Sequence, residues 1–507
     1  MASIMLLAAY GVAALLFYAS LLVLHQFTYW KRRKVLHLEL VPIIGNMAPI
    51  MFRTSSFPIH SQNMYKKYPG ARYYGFFDLQ KPSVIIKDPD LIREIFVKSF
   101  DHFTDHDAFV TEEMDPIVGR NIFSLRGQRW KEVRNTLTPS YTAARMKMLF
   151  ALVAECSKDF VQYFVDHPEL AENFEAKDAI TRYTNDVVAS AAFGVKVNSM
   201  KDQDNEFYLH GKEFTNVSAL AATKLTILQN FPNIMKFFGT TFLSNATDKF
   251  FKKLITNTVT TRIEKGITRQ DMMQLLIEAM KKDDGLKVTM DDIIGQAFFF
   301  FLAGFESTSS AMCFALQELA ANPDIQDRLR QEIDDEIEQH EGELTYESLA
   351  NLKYLDMVMS ETLRKYPPVA ITNRLCNKEY TFPPLMEGYP EYQMEVGTSI
   401  LISMFGLQRD PKYFPDPEKF DPERFNDKNK HKINPYTYMP FGIGPRQCIA
   451  NRFALMEAKI VIIDILRKFV VKFTEKSHHP VTLSKKTFIL SAEEGFWFKF
   501  EGRKKVD

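Results

Sequence analysis

Cysteine is scarce in this chain of 507 residues. The cysteines lie far apart, at positions 156, 313, 376 and 448, and no CxxC pair occurs. This spacing argues against a zinc module and against a disulfide framework. Scattered thiols are typical of a reducing compartment, where most of them are small buried hydrophobic residues.

Net charge is absent as well, because 63 Lys and Arg residues balance 63 Asp and Glu residues. The chain therefore carries no basic field that would attract a nucleic acid. It contains no GxxxxGK[ST] and no GxSxG. The stretch "GIGPRQ" (residues 442–447) lacks the third glycine and the preceding strand of a dinucleotide loop, so we predict no nucleotide site.

Charged residues are missing from the first 30 positions, where no Asp, Glu, Lys or Arg occurs. This apolar stretch is long enough to cross a bilayer as a helix, and "KRRK" (residues 31–34) follows it at once. Tyr29 and Trp30 suit the membrane interface. We predict a retained membrane anchor over residues 1–30 and a cytosolic body over 31–507, with a cleaved signal peptide as the alternative.

The rest of the chain is patterned mainly for helices. Residues 73–90 alternate and turn like a β-hairpin, and residues 130–365 are mostly helical in pattern. Turns dominate from residue 366 until a final helix at about 450–468, and the tail has the pattern of short strands. With 46% hydrophobic residues and no evident linker, the body is predicted to be one α-rich domain with a minor β region.

The stretch "FGIGPRQCIA" (residues 441–450) concentrates special residues around Cys448. A helical pattern begins directly after this cysteine, and a helix N-terminus favours a thiolate, the form that binds a soft or borderline metal. Gly442 and Gly444 let the backbone turn tightly, while Arg446 can pair with a carboxylate. A flat, iron-centred cofactor with acidic side arms fits this set of residues.

The pattern F-x-x-G-x-R-x-C, formed by Phe441, Gly444, Arg446 and Cys448, resembles the haem loop of the cytochrome P450 family. The likeness covers essentially the whole chain and is greatest to the insect detoxifying branch near the vertebrate drug-metabolising enzymes, a microsomal animal type. It implies the single-domain cytochrome P450 fold and haem b with Cys448 as the axial thiolate. Ala450 departs from the glycine that is usual at its position.

Three further motifs extend the resemblance. Glu361 and Arg364 share one helix face, and with Arg424 they resemble the Glu-Arg-Arg triad that braces the cysteine loop; alone they would suggest a surface ion pair. Trp130 and Arg134, four residues apart, resemble the pair that holds a haem propionate, and so does Arg374; without the haem loop, an exposed amphipathic turn would explain the first two.

The stretch "AFFFFLAGFESTSS" (residues 297–310) is predicted to be a buried helix opened by a capping box at Thr289 and Asp292. An acid and hydroxyls on such a helix suit proton delivery, although a core polar cluster is the alternative. The stretch resembles the oxygen-side motif of the family, with Glu306 as the acid and Ser307 where threonine is usual. Thr308 comes next, so which hydroxyl serves stays open.

The resemblance implies a monooxygenase that inserts one atom of O2 into an apolar, membrane-soluble substrate such as a xenobiotic, a hormone or a lipid. Since no dinucleotide motif is present, NADPH–cytochrome P450 reductase is the implied electron donor, with cytochrome b5 as a second candidate. The anchor implies the endoplasmic reticulum membrane. Substrate-pocket segments would lie at about 103–123, 210–245, 369–376 and 485–492. The alternatives are a reductase-independent isomerase and a non-catalytic haem protein.

Overall fold

A computed structural model describes residues 2–108, 110–115, 117–215, 243–269, 271–281 and 288–503. The chain divides into two compact units. The smaller unit comprises residues 1–107, 370–407 and 434–446, and the larger comprises 108–369, 408–433 and 447–507. The predicted segment 210–245 lies largely outside the described residues.

The smaller unit contains most of the β structure. Its four-stranded sheet has the order β1-β2-β7-β4, in which β1/β2 and β4/β7 are antiparallel and β2/β7 is parallel. β5 and β6 form a separate antiparallel pair. The strands are β1 (Tyr73–Asp78), β2 (Lys81–Ile86), β4 (Ile371–Leu375), β5 (Tyr380–Phe382), β6 (Tyr392–Met394) and β7 (Ser399–Ser403), and the helices are α1 (Ala2–Arg32), α2 (Ala48–Met51), α3 (Phe57–Lys66), α4 (Pro89–Arg93) and α17 (Met404–Leu407).

The larger unit is mainly helical, with a small sheet of order β3-β9-β8. Helices α6, α8, α13 and α18 pack on one another in its core. Its helices are α5 (Gly127–Leu137), α6 (Ala143–Asp166), α7 (Pro168–Ala171), α8 (Ala176–Val188), α9 (Glu206–Thr215), α10 (Asn245–Glu264), α11 (Met272–Met280), α12 (Met290–Ala303), α13 (Ser309–Ala321), α14 (Pro323–Glu338), α15 (Ser348–Asn351), α16 (Lys353–Lys365) and α18 (Asn451–Lys468), and its strands are β3 (Phe174–Glu175), β8 (Phe469–Phe473) and β9 (Trp497–Gly502).

The predicted hairpin, the final helix and the capping box are all present. β1 pairs with β2 from Tyr73 opposite Ile86 to Asp78 opposite Lys81. The Thr289 side chain accepts the Asp292 N–H, and the Asp292 side chain accepts the Thr289 N–H. The tail matches its prediction in part, because only Trp497–Gly502 forms a strand there and the remaining pairing consists of isolated bridges.

Helix α1 joins the apolar N-terminus to the smaller unit without a break. Trp30 is fully buried there, and its indole Nε1 donates to the Phe76 carbonyl over 3.2 Å. Gln26 is also buried and donates to the Leu79 carbonyl over 2.9 Å. The ring packs over Gly75, where an added Cβ would lie 2.5 Å from it, so Trp30 fixes the end of α1 to β1.

Two helical stretches among the described residues are long and apolar enough to cross a membrane by length and composition. The first is Met5–Arg32, whose apolar window is wholly unburied in the protein. The second is Met290–Ala321, which covers α12, a π-helical turn and α13, and two thirds of its window is buried.

The core of the larger unit contains an isolated carboxyl group. Glu457 on α18 is fully buried, and neither of its side-chain oxygens has a hydrogen-bond partner among the described residues. Desolvation raises the pKa of Glu457 well above its usual value. Cys156 on α6 and Tyr183 on α8 are the titratable groups that face it, and Asp464 on α18 is a further acid beside Tyr183. None of these is a cation that would offset the charge.

We therefore predict that Glu457→Gln makes stability less sensitive to pH. A carboxyl whose pKa is raised in the folded state binds its proton more tightly there, so wild-type stability falls as pH rises above the unfolded value of about 4.3. The amide has no charge to lose. Relative to wild type, the variant should gain more free energy of unfolding at pH 8 than at pH 5, measured by urea denaturation. An equal change at both pH values would contradict this interpretation.

Candidate functional site

Cys448 lies before α18, the last long helix, and two residues separate it from the first residue of that helix, Asn451. The Cys448 side chain is solvent-accessible, yet desolvation by the surrounding protein raises its pKa, against the Ala450 N–H and the Arg134 guanidinium, which lower it. The backbone N–H at the helix N-terminus lowers the pKa as expected, but desolvation outweighs it; coordination to a metal ion would remove the proton.

The backbone before the cysteine requires its glycines. Gly442 and Gly444 both have φ of 73°, in the left-handed region. At Gly444 an added Cβ would also lie 2.1 Å from the Phe96 carbonyl oxygen, so no side chain fits there. Phe441 is half-buried at the start of this turn. The loop is thus fixed by local conformation and by close packing against residue 96.

A buried basic cluster lies in the smaller unit. Arg446 donates from Nε to the Thr104 carbonyl over 2.8 Å, and its Nη2 lies 3.2 Å from Asp105 Oδ1. Arg374 donates to the Asn373 carbonyl over 2.7 Å. Both guanidinium groups are buried. Desolvation and the charge of Arg446 lower the pKa of Arg374.

His106 lies beside these arginines but adds no charge to the cluster. Its Nδ1 lies 3.3 Å from Arg374 Nη1, and desolvation together with Arg374 and Arg446 holds the pKa of the imidazole well below its usual value. Arg446 is paired with the Asp105 carboxylate, whereas Arg374 forms no ion pair with any described residue. The Arg374 Nε has no partner among the described residues. An additional anion, such as the carboxylate arm of a cofactor, would compensate the remaining charge.

In the larger unit, Trp130 and Arg134 lie on one face of α5. Trp130 is buried and Arg134 is half-buried. The guanidinium of Arg134 makes no ion pair with any described residue, and the cysteine whose charge it feels is Cys448. Of the two residues predicted to bind an anion, Arg134 therefore carries a positive charge that no described residue pairs with. It belongs to the same unit as the Cys448 thiol.

The predicted Glu-Arg-Arg cluster is buried and connected. Arg364 forms two parallel hydrogen bonds with Glu361, from Nε over 2.7 Å and from Nη2 over 2.8 Å, and both side chains are fully buried. Arg424 Nε lies 3.4 Å from the same carboxylate. Arg364 also donates to the Gln408 and Pro417 carbonyls. The surface-pair alternative is excluded, and the cluster joins α16 to the chain around residues 408–424.

Glu306, Ser307 and Thr308 lie in a π-helical turn, Gly304–Thr308, between α12 and α13. Glu306 is buried and its Oε1 lies 3.1 Å from Lys177 Nζ. Ser307 is partly accessible, and its hydroxyl donates to the Ala303 carbonyl over 2.7 Å. Thr308 is only 4% exposed. The acid and the two candidate hydroxyls therefore differ in environment, and Ser307 is the most accessible of them.

The sequence suggested that helix α12 is buried on all sides, but one face of it is accessible. Ala303 is exposed, and Phe299, Phe300 and Leu302 are partly accessible, whereas Phe298 and Phe301 are buried. Gly304, directly after α12, packs closely against α8. An added Cβ there would lie 2.8 Å from Val188 Cγ2, so this glycine permits α8 to approach. The apolar run thus has a packed face and an accessible face.

Three residues of these clusters belong to no motif in the sequence: Asp105, His106 and Lys177. Each contacts its partner across a long separation in the chain, 341 residues for Asp105 and Arg446. A local motif could not have indicated them, and only the placement of the strands and helices brings them together.

An α-rich body with an accessible thiol before its last long helix and a buried Glu-Arg-Arg cluster is the architecture of haem-thiolate proteins. The family described as Cytochrome P450 matches residues 37–500. Cytochrome P450 9e2 of Blattella germanica is 42% identical over 94% of each chain. Probable cytochrome P450 9f2 of Drosophila melanogaster is 38% identical over 98% of this chain and 99% of its own. Cytochrome P450 6k1 of Blattella germanica is 34% identical over 98% and 96%.

The chain belongs to the cytochrome P450 family, and it is therefore an oxidoreductase of the haem-thiolate monooxygenase class. The predicted fold class and the resemblance to the insect branch are confirmed. Members of this family hold haem through a cysteine thiolate. The donor set of the larger unit fits that cofactor, because the accessible Cys448 thiol and the half-buried Arg134 guanidinium match its iron and one of its acidic arms.

Proposed function

We propose that this protein oxidises apolar small molecules with O2, using haem b and electrons that NADPH–cytochrome P450 reductase delivers at the endoplasmic reticulum membrane, with cytochrome b5 as a second donor. The accessible face of α12 carries the proposal. Phe299, Phe300, Leu302 and Ala303 offer an uncharged surface that ends at the Ser307 hydroxyl. Such a surface suits a substrate that partitions into lipid.

The cofactor-binding roles follow the family resemblance and the charges described above. Cys448 ligates the iron, and haem supplies the activation of O2. Arg374, Arg446, Trp130 and Arg134 hold the propionates, and Phe441 lies against the ring. The Glu361, Arg364 and Arg424 cluster is structural, since it is buried and fully engaged with its own partners.

Proton delivery is assigned to Glu306 and Ser307. The Ser307 hydroxyl lies on the accessible face, where it donates to the Ala303 carbonyl and can still accept a hydrogen bond, whereas Thr308 is buried. A serine lacks the methyl group that restricts the rotamers of threonine. The carboxylate of Glu306 is held in place by Lys177, and the hydroxyl of Ser307 is the accessible member of the pair.

Electron delivery can be tested by charge reversal on two exposed basic residues of the larger unit. Lys131 follows Trp130 on α5, and Arg452 lies four residues after Cys448. We expect Lys131→Glu and Arg452→Glu to slow the first electron transfer from the reductase about threefold to tenfold at low salt, with normal haem content. The exposed Lys265→Glu is the matched control. The difference should shrink as salt screens the charges.

The same reconstituted system tests the reaction class. A panel of apolar compounds should shift the haem spectrum, and product should form only with O2 and NADPH. Unchanged reduction kinetics in both Lys131→Glu and Arg452→Glu would refute docking of the reductase at these two residues. Turnover without NADPH would favour the isomerase, and a haem spectrum insensitive to every apolar ligand would favour the non-catalytic protein.

A further inference from the structure

A partly buried lysine binds the π-helical turn from a neighbouring helix. Lys177, in the first turn of α8, places its Nζ 3.1 Å from Glu306 Oε1 and 3.2 Å from the Glu306 carbonyl oxygen. The same ammonium lies 2.7 Å from Ser309 Oγ and 2.8 Å from Ser310 Oγ. The side chains of Lys177 and Glu306 are only 16% and 12% exposed. One cation thus contacts the acid and the backbone of the turn together.

The π-helical geometry explains why the turn needs such partners. A π-turn interrupts the regular i→i−4 hydrogen bonds, so carbonyl oxygens must find other donors. The Phe305 carbonyl accepts hydrogen bonds from Thr184 Oγ1 and from Ser309 Oγ, each over 2.9 Å. The Glu306 carbonyl accepts from Lys177 and from Ser309. Helix α8 therefore supplies two of the donors that stabilise this turn, Thr184 and Lys177.

The charges of the two side chains compensate each other. Neither Lys177 nor Glu306 forms another ion pair within the described part of the chain. Glu175 faces Lys177 but is occupied by backbone N–H groups of α8, and the buried thiol of Cys313 is the other titratable group beside the pair. Without Lys177, the Glu306 carboxylate would lie buried with no cation near it, and the Glu306 carbonyl would lose a donor.

We infer that Lys177 is a positioning residue for proton delivery: it pairs with the Glu306 carboxylate and fixes the turn so that Ser307 stays on the accessible face. The inference rests on the proposed role of Glu306 and Ser307. Lys177 itself contacts no substrate, and it acts through the carboxylate and the backbone of the turn. Its loss should therefore affect the use of electrons more than the binding of haem.

The test uses the full-length holoenzyme with the reductase and compares Lys177→Met, Lys177→Arg, Glu306→Gln and the double variant Lys177→Met with Glu306→Gln. Lys196→Met is the matched control, because it removes an exposed Lys–Glu pair of the same unit. Product formed per NADPH consumed should fall about fivefold to tenfold in both Lys177→Met and Glu306→Gln. The double variant should be no worse than Glu306→Gln, and Lys177→Arg should recover most of the loss.

A spectroscopic readout separates positioning from loss of structure. The infrared C–O stretch of the ferrous carbon-monoxide complex reports on nearby charges, and it should shift in Lys177→Met and in Glu306→Gln but not in Lys196→Met. Lys177→Gln, which keeps donors for the serines but lacks the charge, replaces Lys177→Met if the latter does not retain haem.

The outcomes distinguish this inference from the proposed function. If Glu306→Gln lowers product per NADPH and removal of the Lys177 charge does not, the inference is wrong while the relay stands. If the two losses multiply in the double variant, Lys177 acts independently of Glu306 and the inference is again wrong. If Glu306→Gln itself changes nothing, the proposed relay fails.

Discussion

Cys448→Ser is expected to abolish the long-wavelength absorption band of the ferrous carbon-monoxide complex and to lower turnover by at least about a hundredfold. The physical reason is the loss of the electron-rich sulfur ligand, since a serine hydroxyl does not deprotonate to an equivalent soft donor. The loop itself should survive, because its shape depends on Gly442 and Gly444 and on packing against Phe96. Absorption spectra and product formation with the reductase measure both effects.

Cys156→Ser is the matched control for this experiment. Cys156 is partly accessible, and desolvation raises its pKa to about 12, so it is an inert thiol of the same unit. It should keep the wild-type spectrum and activity. An unchanged carbon-monoxide spectrum in Cys448→Ser, or a loss in Cys156→Ser instead, would contradict the assignment of the ligand.

Glu361→Gln is expected to destabilise the protein by about 3–5 kcal/mol, the cost that is typical of breaking a buried ion pair. The substitution leaves Arg364 fully buried, and Arg424 largely so, without their carboxylate. The Asp421 N–H also loses its charged acceptor. Urea unfolding of the holoprotein measures the loss, and reduced haem retention during purification should accompany it.

Arg328→Met provides the comparison, because Arg328 and Glu423 form an ion pair whose side chains are 57% and 42% exposed. Removing this exposed pair should cost less than about 1 kcal/mol. If Glu361→Gln costs no more than Arg328→Met, the buried cluster does not brace the fold as we describe.

Local spacing was enough to predict much of the fold and several site residues. The alternating pattern of residues 73–90, the capping box at Thr289 and the helix after Cys448 each depend on neighbours in the chain, and the structure shows all three. The Glu361 and Arg364 pair has the same origin, since residues three apart share a helix face. The bidentate geometry of the pair follows from that spacing.

Contacts between distant segments could not be predicted in the same way. Lys177 lies 129 residues before Glu306, and Asp105 lies 341 residues before Arg446. The Cys448 pKa depends on how much protein surrounds the thiol, and desolvation there outweighs the helix end that the sequence revealed. Trp30 suits a membrane interface by its place beside an apolar run, and only the fold shows that its ring packs over Gly75.

The central claim is that the sulfur of Cys448 binds a haem iron, and electron paramagnetic resonance of the purified ferric holoprotein tests it most directly. The account predicts the signature of thiolate ligation in the wild type and its loss in Cys448→Ser, with Cys156→Ser unchanged. A signature of histidine ligation in the wild type, or one that survives the removal of Cys448, would contradict it.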